Sequence, residues 1–163
     1  MKASPGRPDQ ATADREIVIS RTIDAPRDLV FEAFTDVRHL SQWWGPTGFS
    51  TTTRSFEFHE GGAWDFVMHG PDGTDYPNWI TWREIVRPER ITLLHGDSAD
   101  DQNAFESILT FEARGERTDL VMRTIFPTAE LRDQAVKEFH AIEAGEQTLG
   151  RLADYVLAIQ EGR

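Results

Sequence analysis

The histidines of this chain, which could do acid–base or metal chemistry near neutral pH, are few and scattered. Five histidines stand at positions 39, 59, 69, 95 and 140. They lack the close ligand spacing of a segment such as HExxH, and the pair His59-Glu60 is a weak signal by itself. We therefore predict no metal site, and surface or structural roles for most of these histidines. His140 lies two residues before Ile142, so its side chain could flank the interior.

Glu84 is a carboxylate that the sequence pattern places beside an apolar face. It follows Trp82 by two residues, and alternate residues of a strand project from the same face. If Trp82 points inward, Glu84 would then serve as a polar anchor or, with Glu143 and His140, as a candidate acid or base. The alternative is that Glu84 faces solvent or pairs with an arginine such as Arg123.

Nucleophilic and phosphate-binding patterns are missing from the sequence. There is no cysteine and no GxSxG segment, and Gly61-Gly62 lies in a strand connection without the lysine of a phosphate loop. We predict no catalytic residue and no cofactor, and we expect binding rather than catalysis.

Composition limits the classes of partner. The 163 residues suit one domain, and 17 basic against 28 acidic residues give a net charge of −11. Such a surface repels nucleic acid and anionic membranes, so neither is expected as a partner. No apolar run reaches membrane-spanning length and the N-terminus lacks a signal-peptide core, so the expected location is the cytoplasm.

The predicted organisation is a flexible tail followed by one domain. Residues 1–14 are rich in small and polar residues with little to bury, and the domain covers residues 15–160. A short strand near Ile17 and Ile19 opens the domain, and Asp24-Ala25-Pro26 starts a helix.

Helices are predicted on either side of a run of strands. Asp36 could cap a second short helix that ends near Trp43-Trp44. The strand segments are 56–58, 64–69, 78–86, 91–95, 105–113 and 118–126, which indicates an antiparallel meander. Residues 128–160 read as one long helix, in which Gly145 and Gly150 suggest a bend or the close approach of another element.

The order of these motifs resembles the START-like helix-grip fold of the SRPBCC superfamily. Within it, the chain is similar to bacterial homologues of the heat-shock protein 90 ATPase activator. The motifs that carry this resemblance are Asp24-Ala25-Pro26, Trp43-Trp44-Gly45-Pro46, Gly61-Gly62 with Trp64, Glu84-Ile85 before Pro88 and Arg90, and Glu146-Gln147 before Leu149, Arg151 and Leu152. The resemblance spans about residues 15 to 158. It implies an α+β fold in which a curved antiparallel sheet wraps around a long C-terminal helix.

The resemblance also implies a cavity between the sheet and that helix, and a small hydrophobic molecule as partner. The expected lining residues are Phe34, Trp43, Trp64, Phe66, Met68, Trp82, Glu84, His140 and Gly145. Related sequences commonly carry Gly-Trp where this chain has Ala144-Gly145. We expect that difference to enlarge or reshape the cavity.

Alternative functions stay open on sequence alone. The superfamily includes cyclase- and hydrolase-like enzymes that act on such ligands. The family name implies a stress-response role that modulates a chaperone ATPase, although that activity belongs to eukaryotic relatives with an additional domain. Fold by itself does not decide between these functions. The sequence also leaves a homodimer open.

Overall fold

A computed structural model describes residues 11–162 of the chain. Its centre is one seven-stranded antiparallel sheet with the strand order β1-β7-β6-β5-β4-β3-β2. The strands are β1 (Glu16–Ile23), β2 (Ser50–Phe56), β3 (Ala63–His69), β4 (Asp75–Val86), β5 (Arg90–Gly96), β6 (Phe105–Arg114) and β7 (Arg117–Ile125). Each predicted strand segment overlaps one of these strands, and Phe58 and Phe126 lie just beyond the ends of β2 and β7.

Among the residues that the structure describes, four α-helices complete the fold. They are α1 (Arg27–Glu32), α2 (Val37–Trp43), α3 (Ala129–Glu138) and α4 (Ala141–Glu161), and a 3-10 helix covers Ala13–Arg15. The α+β helix-grip fold with two short helices after the first strand is therefore confirmed. The predicted tail falls mostly on residues 1–10, which lie outside the described residues. No helix within residues 11–162 is both long enough and apolar enough to cross a membrane.

The two faces of the sheet follow from residue alternation and strand register. On β3, Trp64 and Phe66 are fully buried and face the helices, whereas His69 lies on the opposite face. The core forms between this concave face and the buried stripe of α4, namely Leu149, Leu152 and Val156. Burial of these apolar side chains is the main favourable term that holds the helix on the sheet.

The starts of the two short helices differ from each other. The side chain of Asp36 caps α2, with its Oδ1 accepting from Arg38 N at 2.8 Å, as predicted. That interaction with Arg38 lowers the pKa of Asp36 to about 2. At α1 the N-cap residue is Pro26 rather than Asp24, and Asp24 instead pairs with Arg117 at 3.3 Å.

The predicted single C-terminal helix is wrong, because the chain breaks between α3 and α4. Phe139 leaves helical geometry and His140 adopts a left-handed conformation with φ of 51°. Histidine is among the residues that tolerate this region. A straight helix over 128–160 would be about 50 Å long, so the break lets α3 pack against the 3-10 helix and β1.

Candidate functional site

Five of the predicted lining residues form a sealed aromatic layer under the helices. Phe34, Trp43, Trp64, Phe66 and Trp82 are each at most 1% exposed. The rings of Trp64 and Phe66 stack with centroids 3.8 Å apart, and Phe34 meets Trp43 edge-on at 4.9 Å. In this conformation these side chains fill the interior, so they act as core packing.

A sixth predicted residue, Met68, lies where the packing opens toward one end of the sheet. There the side chains are partly buried or, at Tyr76, exposed, and most are aromatic. We call this end the aromatic mouth, and it comprises Trp44, Phe49, Met68, Tyr76, Asn78, His95 and Phe105. Trp44 connects the mouth to the sealed layer, because its ring lies 5.2 Å from that of Trp64.

A polar pair stands in the aromatic mouth. His95 and Asn78 lie on neighbouring strands β5 and β4, and both face the helices because they share the alternation of Ile80 and Leu93. The His95 Nε2 atom lies 2.7 Å from the Asn78 Oδ1 atom. The imidazole ring also packs beside Phe105, with centroids 4.8 Å apart.

The surroundings keep His95 neutral. Burial lowers the pKa of His95 to about 4, and the charge of Asp101 offsets only part of that effect. His95 is partly buried as a residue, and the neighbouring rings of Trp44 and Phe66 displace water from its imidazole ring. A neutral imidazole accepts one hydrogen bond and donates another.

Folding stability should therefore fall when this histidine is forced to take a proton. The pKa of His95 is lower in the folded state than its ordinary value near 6.5, so the unfolded chain binds the proton more tightly. Stability is then lost as pH falls from about 6.5 toward 4. Between pH 7 and pH 5 the loss from this group should be about 2 kcal/mol.

Urea unfolding of the wild type and of a His95→Gln variant at both pH values measures this loss. Glutamine places an amide nitrogen near the position of Nε2 and does not titrate. The wild type should lose about 2 kcal/mol more than the variant on acidification. Parallel pH profiles would show that His95 protonates freely in the folded protein.

An arginine of α4 fixes the loop that carries Trp44. Arg151 Nη1 lies 3.0–3.3 Å from the carbonyl oxygens of Trp44, Gly45, Pro46 and Phe49. One turn earlier on the same helix, Gln147 Oε1 accepts from Thr47 N at 3.2 Å. Two motifs that are far apart in sequence thus meet at this loop.

The space beside Gly145 is occupied. A Cβ atom built on Gly145 would overlap the Ile19 Cδ1 atom of β1 and would lie 3.3 Å from Met122 Cε. The predicted close approach of another element is confirmed here. The missing indole therefore leaves no extra room in this conformation, because Ile19 and Met122 fill it, and Gly145→Trp would have to displace both.

Replacing Gly145 or Gly150 of α4 by alanine should change the free energy of unfolding by different amounts. A Cβ on Gly150 meets only Arg21 Nη1, at 3.6 Å, so Gly150→Ala should raise the free energy of unfolding by about 1 kcal/mol through helix propensity. Gly145→Ala should gain less, because Ile19 has to move. Urea denaturation of both variants tests this, and an equal or larger gain at Gly145 would contradict it.

Glu84 does not share the face of Trp82. A bulge changes the register between Trp82 and Glu84, so the alternation slips by one residue and Ile85 packs on the core instead. The Glu84 side chain is 45% exposed and its Oε1 accepts from Arg90 Nε at 2.8 Å. The same-face prediction is wrong, and the arginine partner is Arg90, since Arg123 pairs with Glu16.

The other residues proposed for acid–base chemistry also lie outside the interior. His140 and Glu143 are both exposed, His140 at the junction of α3 and α4. His140 contributes its backbone carbonyl, which accepts from Ala144 N at 2.9 Å. These positions bring no acid–base pair into the aromatic mouth.

His69 forms a hydrogen-bonded row on the far face of the sheet. Its Nε2 atom lies 2.8 Å from Thr52 Oγ1 and its Nδ1 atom lies 2.7 Å from Asp75 Oδ1. The order hydroxyl, imidazole, carboxylate is that of a hydrolase triad. Thr52 and Asp75 are exposed here, so the row serves as a cross-strand link between β2, β3 and β4.

Two depressions lie outside the sheet–helix interior. One of about 20 Å³ sits among the helices near Leu29, His39 and Ile159 and has the size of a water site. The other is an open groove of about 320 Å³ on the convex face, where Leu94 and Ile125 contribute apolar surface. We call it the convex groove, and it is the alternative to the aromatic mouth as a binding surface.

The sequence interpretation missed Asn78 and His95 as site residues. The signal was present, because His95 continues the alternation of Ile91 and Leu93, and Asn78 that of Ile80 and Trp82. An isolated polar residue on an apolar strand face predicts an inward polar group. The pairing of the two became visible only with the strand register.

Comparisons with known proteins agree with this architecture. A family model described as Activator of Hsp90 ATPase homolog 1-like protein matches residues 24–157. Among solved structures, a protein of Nitrosomonas europaea has a TM-score of 0.82 at 19% identity, over 93% of this chain and 99% of that one. A protein of Arthrobacter aurescens has a TM-score of 0.81 at 23% identity, over 92% and 90% of the two chains.

A third solved structure carries the family's short name. The AHSA1 protein of Silicibacter pomeroyi has a TM-score of 0.71 at 20% identity, over 89% of this chain and 99% of that one. No curated protein matches the sequence. At these identities the structural likenesses show a common fold.

Proposed function

Because this chain belongs to the family of Activator of Hsp90 ATPase homolog 1-like proteins, we propose that it uses the helix-grip fold to bind a small, largely apolar molecule at the aromatic mouth. The observation that supports this proposal is the pair Asn78–His95, two polar side chains on a concave face that is otherwise mainly apolar. Small-molecule sites are mostly apolar with a few placed polar groups.

The proposal moves the site from the sealed layer to its open end. Trp64 and Phe66 pack against Trp44 behind the mouth, and the ligand contacts the more accessible side chains in front of them. Met68 has a flexible, polarizable side chain that suits an adaptable wall. Ligand entry then requires Met68 and Trp44 to shift, while the fully buried core stays in place.

Tryptophan fluorescence tests the proposal, because only one tryptophan belongs to the mouth. The protein is titrated with long-chain alcohols, fatty acids, polyketides and aromatic compounds, and emission is compared between the wild type and Trp44→Phe. A saturable change that is lost in the variant supports binding at the mouth. Silence across the whole set would overturn the proposal, and an unchanged response in the variant would place binding elsewhere.

An enzymatic role gains no support from the residues nominated for it. Glu84, His140 and Glu143 are solvent-accessible and lie outside the mouth. The neutral His95 is a hydrogen-bonding group there, and its partner is an amide rather than a carboxylate. Binding without turnover is therefore the function that the geometry favours.

A further inference from the structure

Two hydrogen bonds fix the protonation of the His95 ring. The amide nitrogen Nδ2 of Asn78 donates to the backbone oxygen of Tyr76 at 2.9 Å. This orients Asn78 so that its carbonyl oxygen Oδ1 faces His95 Nε2 at 2.7 Å. A carbonyl oxygen only accepts, so the proton of the neutral ring is on Nε2.

The other ring nitrogen of His95 therefore carries a lone pair. Nδ1 of this tautomer accepts a hydrogen bond and cannot donate one. Among aromatic side chains, His95 Nδ1 discriminates between ligands. A hydroxyl group can donate a hydrogen bond to it, whereas an ether oxygen or an ionised carboxylate has no proton to donate. Discrimination by buried hydrogen-bonding groups is strong when the wrong ligand leaves them unpaired.

The charges around the mouth disfavour an anion. The loop directly after β5 carries Asp97 and Asp101, and burial together with the charge of Asp101 raises the pKa of Asp97. The guanidinium of Arg151 is directed at the backbone carbonyls of residues 44–49. Neutral His95 supplies no compensating charge for a carboxylate.

Resting on the proposed function, we infer that the aromatic mouth selects a neutral molecule with an apolar ring system and a hydroxyl group, which donates its proton in a hydrogen bond to Nδ1 of His95. Carboxylic acids of the same shape, ionised at neutral pH, bind most weakly. The selection lies in the Tyr76–Asn78–His95 chain, which sets the ring as an acceptor. An apolar surface without this chain would bind the alcohol, the ether and the carboxylic acid without such a preference.

Three probes with one ring system separate these alternatives. They are 2-naphthol, 2-methoxynaphthalene and 2-naphthoate, and their affinities are measured at pH 7 by amide chemical-shift titration of the full chain. One hydrogen bond is worth about 1–1.5 kcal/mol, so 2-naphthol should bind about tenfold more tightly than 2-methoxynaphthalene. 2-Naphthoate should bind most weakly, and His95→Phe should remove the preference for the hydroxyl.

A measurement on the wild type keeps the test independent of how the variant folds. Nitrogen NMR of the His95 ring should show the Nε2–H tautomer, and Nδ1 should shift on addition of 2-naphthol but not of 2-methoxynaphthalene. Equal affinities for these two probes at the mouth would overturn the selection while leaving the proposed function intact. Binding of none of the three would count against both, and a protonated Nδ1 would overturn the selection directly.

Discussion

Replacing Arg123 by methionine should lower the free energy of unfolding by about 3–5 kcal/mol, because it removes a charged hydrogen-bonding partner of a buried carboxylate. The Glu16 side chain is 1% exposed and that of Arg123 is 13% exposed, and Arg123 Nε donates to Glu16 Oε1. Arg123 Nη2 also lies 3.3 Å from Thr12 Oγ1. Urea denaturation at pH 7 measures the loss.

The matched control is a more exposed pair that links the end of β6 to the start of β7. Arg114 and Asp119 lie 2.7 Å apart, but the Arg114 side chain is 73% exposed, so Arg114→Met should cost about 0–1 kcal/mol. Adding Glu16→Met to Arg123→Met should restore much of the stability, because it removes the buried charge that Arg123 no longer neutralises. Equal losses of unfolding free energy for Arg123→Met and Arg114→Met would contradict the claim that the buried pair contributes more to stability than the exposed pair.

Replacing Arg151 by methionine should cost about 2–4 kcal/mol and release the loop that carries Trp44. Hydrogen bonds from charged donors contribute more than neutral ones, and unpaired partly buried carbonyls add a penalty. Lysine should recover only part of the loss, because a point charge does not reproduce the guanidinium geometry. Urea unfolding measures the stability, and tryptophan emission should shift to longer wavelength as Trp44 becomes more exposed.

Arg90 offers a control of the same residue type on the surface. It bridges to the half-exposed Glu84 at 2.8 Å, so Arg90→Met should cost about 0–1 kcal/mol and leave tryptophan emission unchanged. If Arg151→Met were no more harmful than Arg90→Met, the carbonyl contacts would not hold the loop. The difference between the two variants therefore measures what α4 contributes to the mouth.

Much of the fold was predictable because the strands alternate cleanly. Trp64 and Phe66 on β3, and Phe105 to Ala113 on β6, carry the period of two that marks a half-buried sheet. The motif Trp43-Trp44-Gly45-Pro46 identified the helix-grip arrangement. Residue periodicity is visible in each segment alone, so these elements could be predicted without knowledge of the tertiary contacts.

The errors lie where long-range packing overrides a local pattern. The apolar spacing of residues 128–160 continues through Phe139, but the size of the domain requires a break, and no glycine or proline marks it. Likewise the bulge after Trp82 turns Glu84 outward, and nothing in the strand's own sequence signals the extra residue. Tertiary contacts decide both cases.

The candidate site was the least predictable part. The aromatic residues selected from the sequence are buried in the core, whereas the polar pair Asn78–His95 was recognisable only as two separate residues. Their meeting depends on the register in which Ile80 faces His95 and Phe66 faces Asn78. Register is set by the pairing between strands, so it cannot be read from the residue pattern of one strand alone.

The most direct test of the account is to map where 2-naphthol binds on the uniformly labelled full chain by amide chemical-shift titration. The account predicts saturable shifts at Trp44, Met68, Asn78, His95 and Phe105, with the far end of the sheet unchanged. The convex groove is the internal comparison, since Leu94 and Ile125 lie on the opposite face. Saturable shifts confined to that groove, or none at all, would contradict binding at the aromatic mouth.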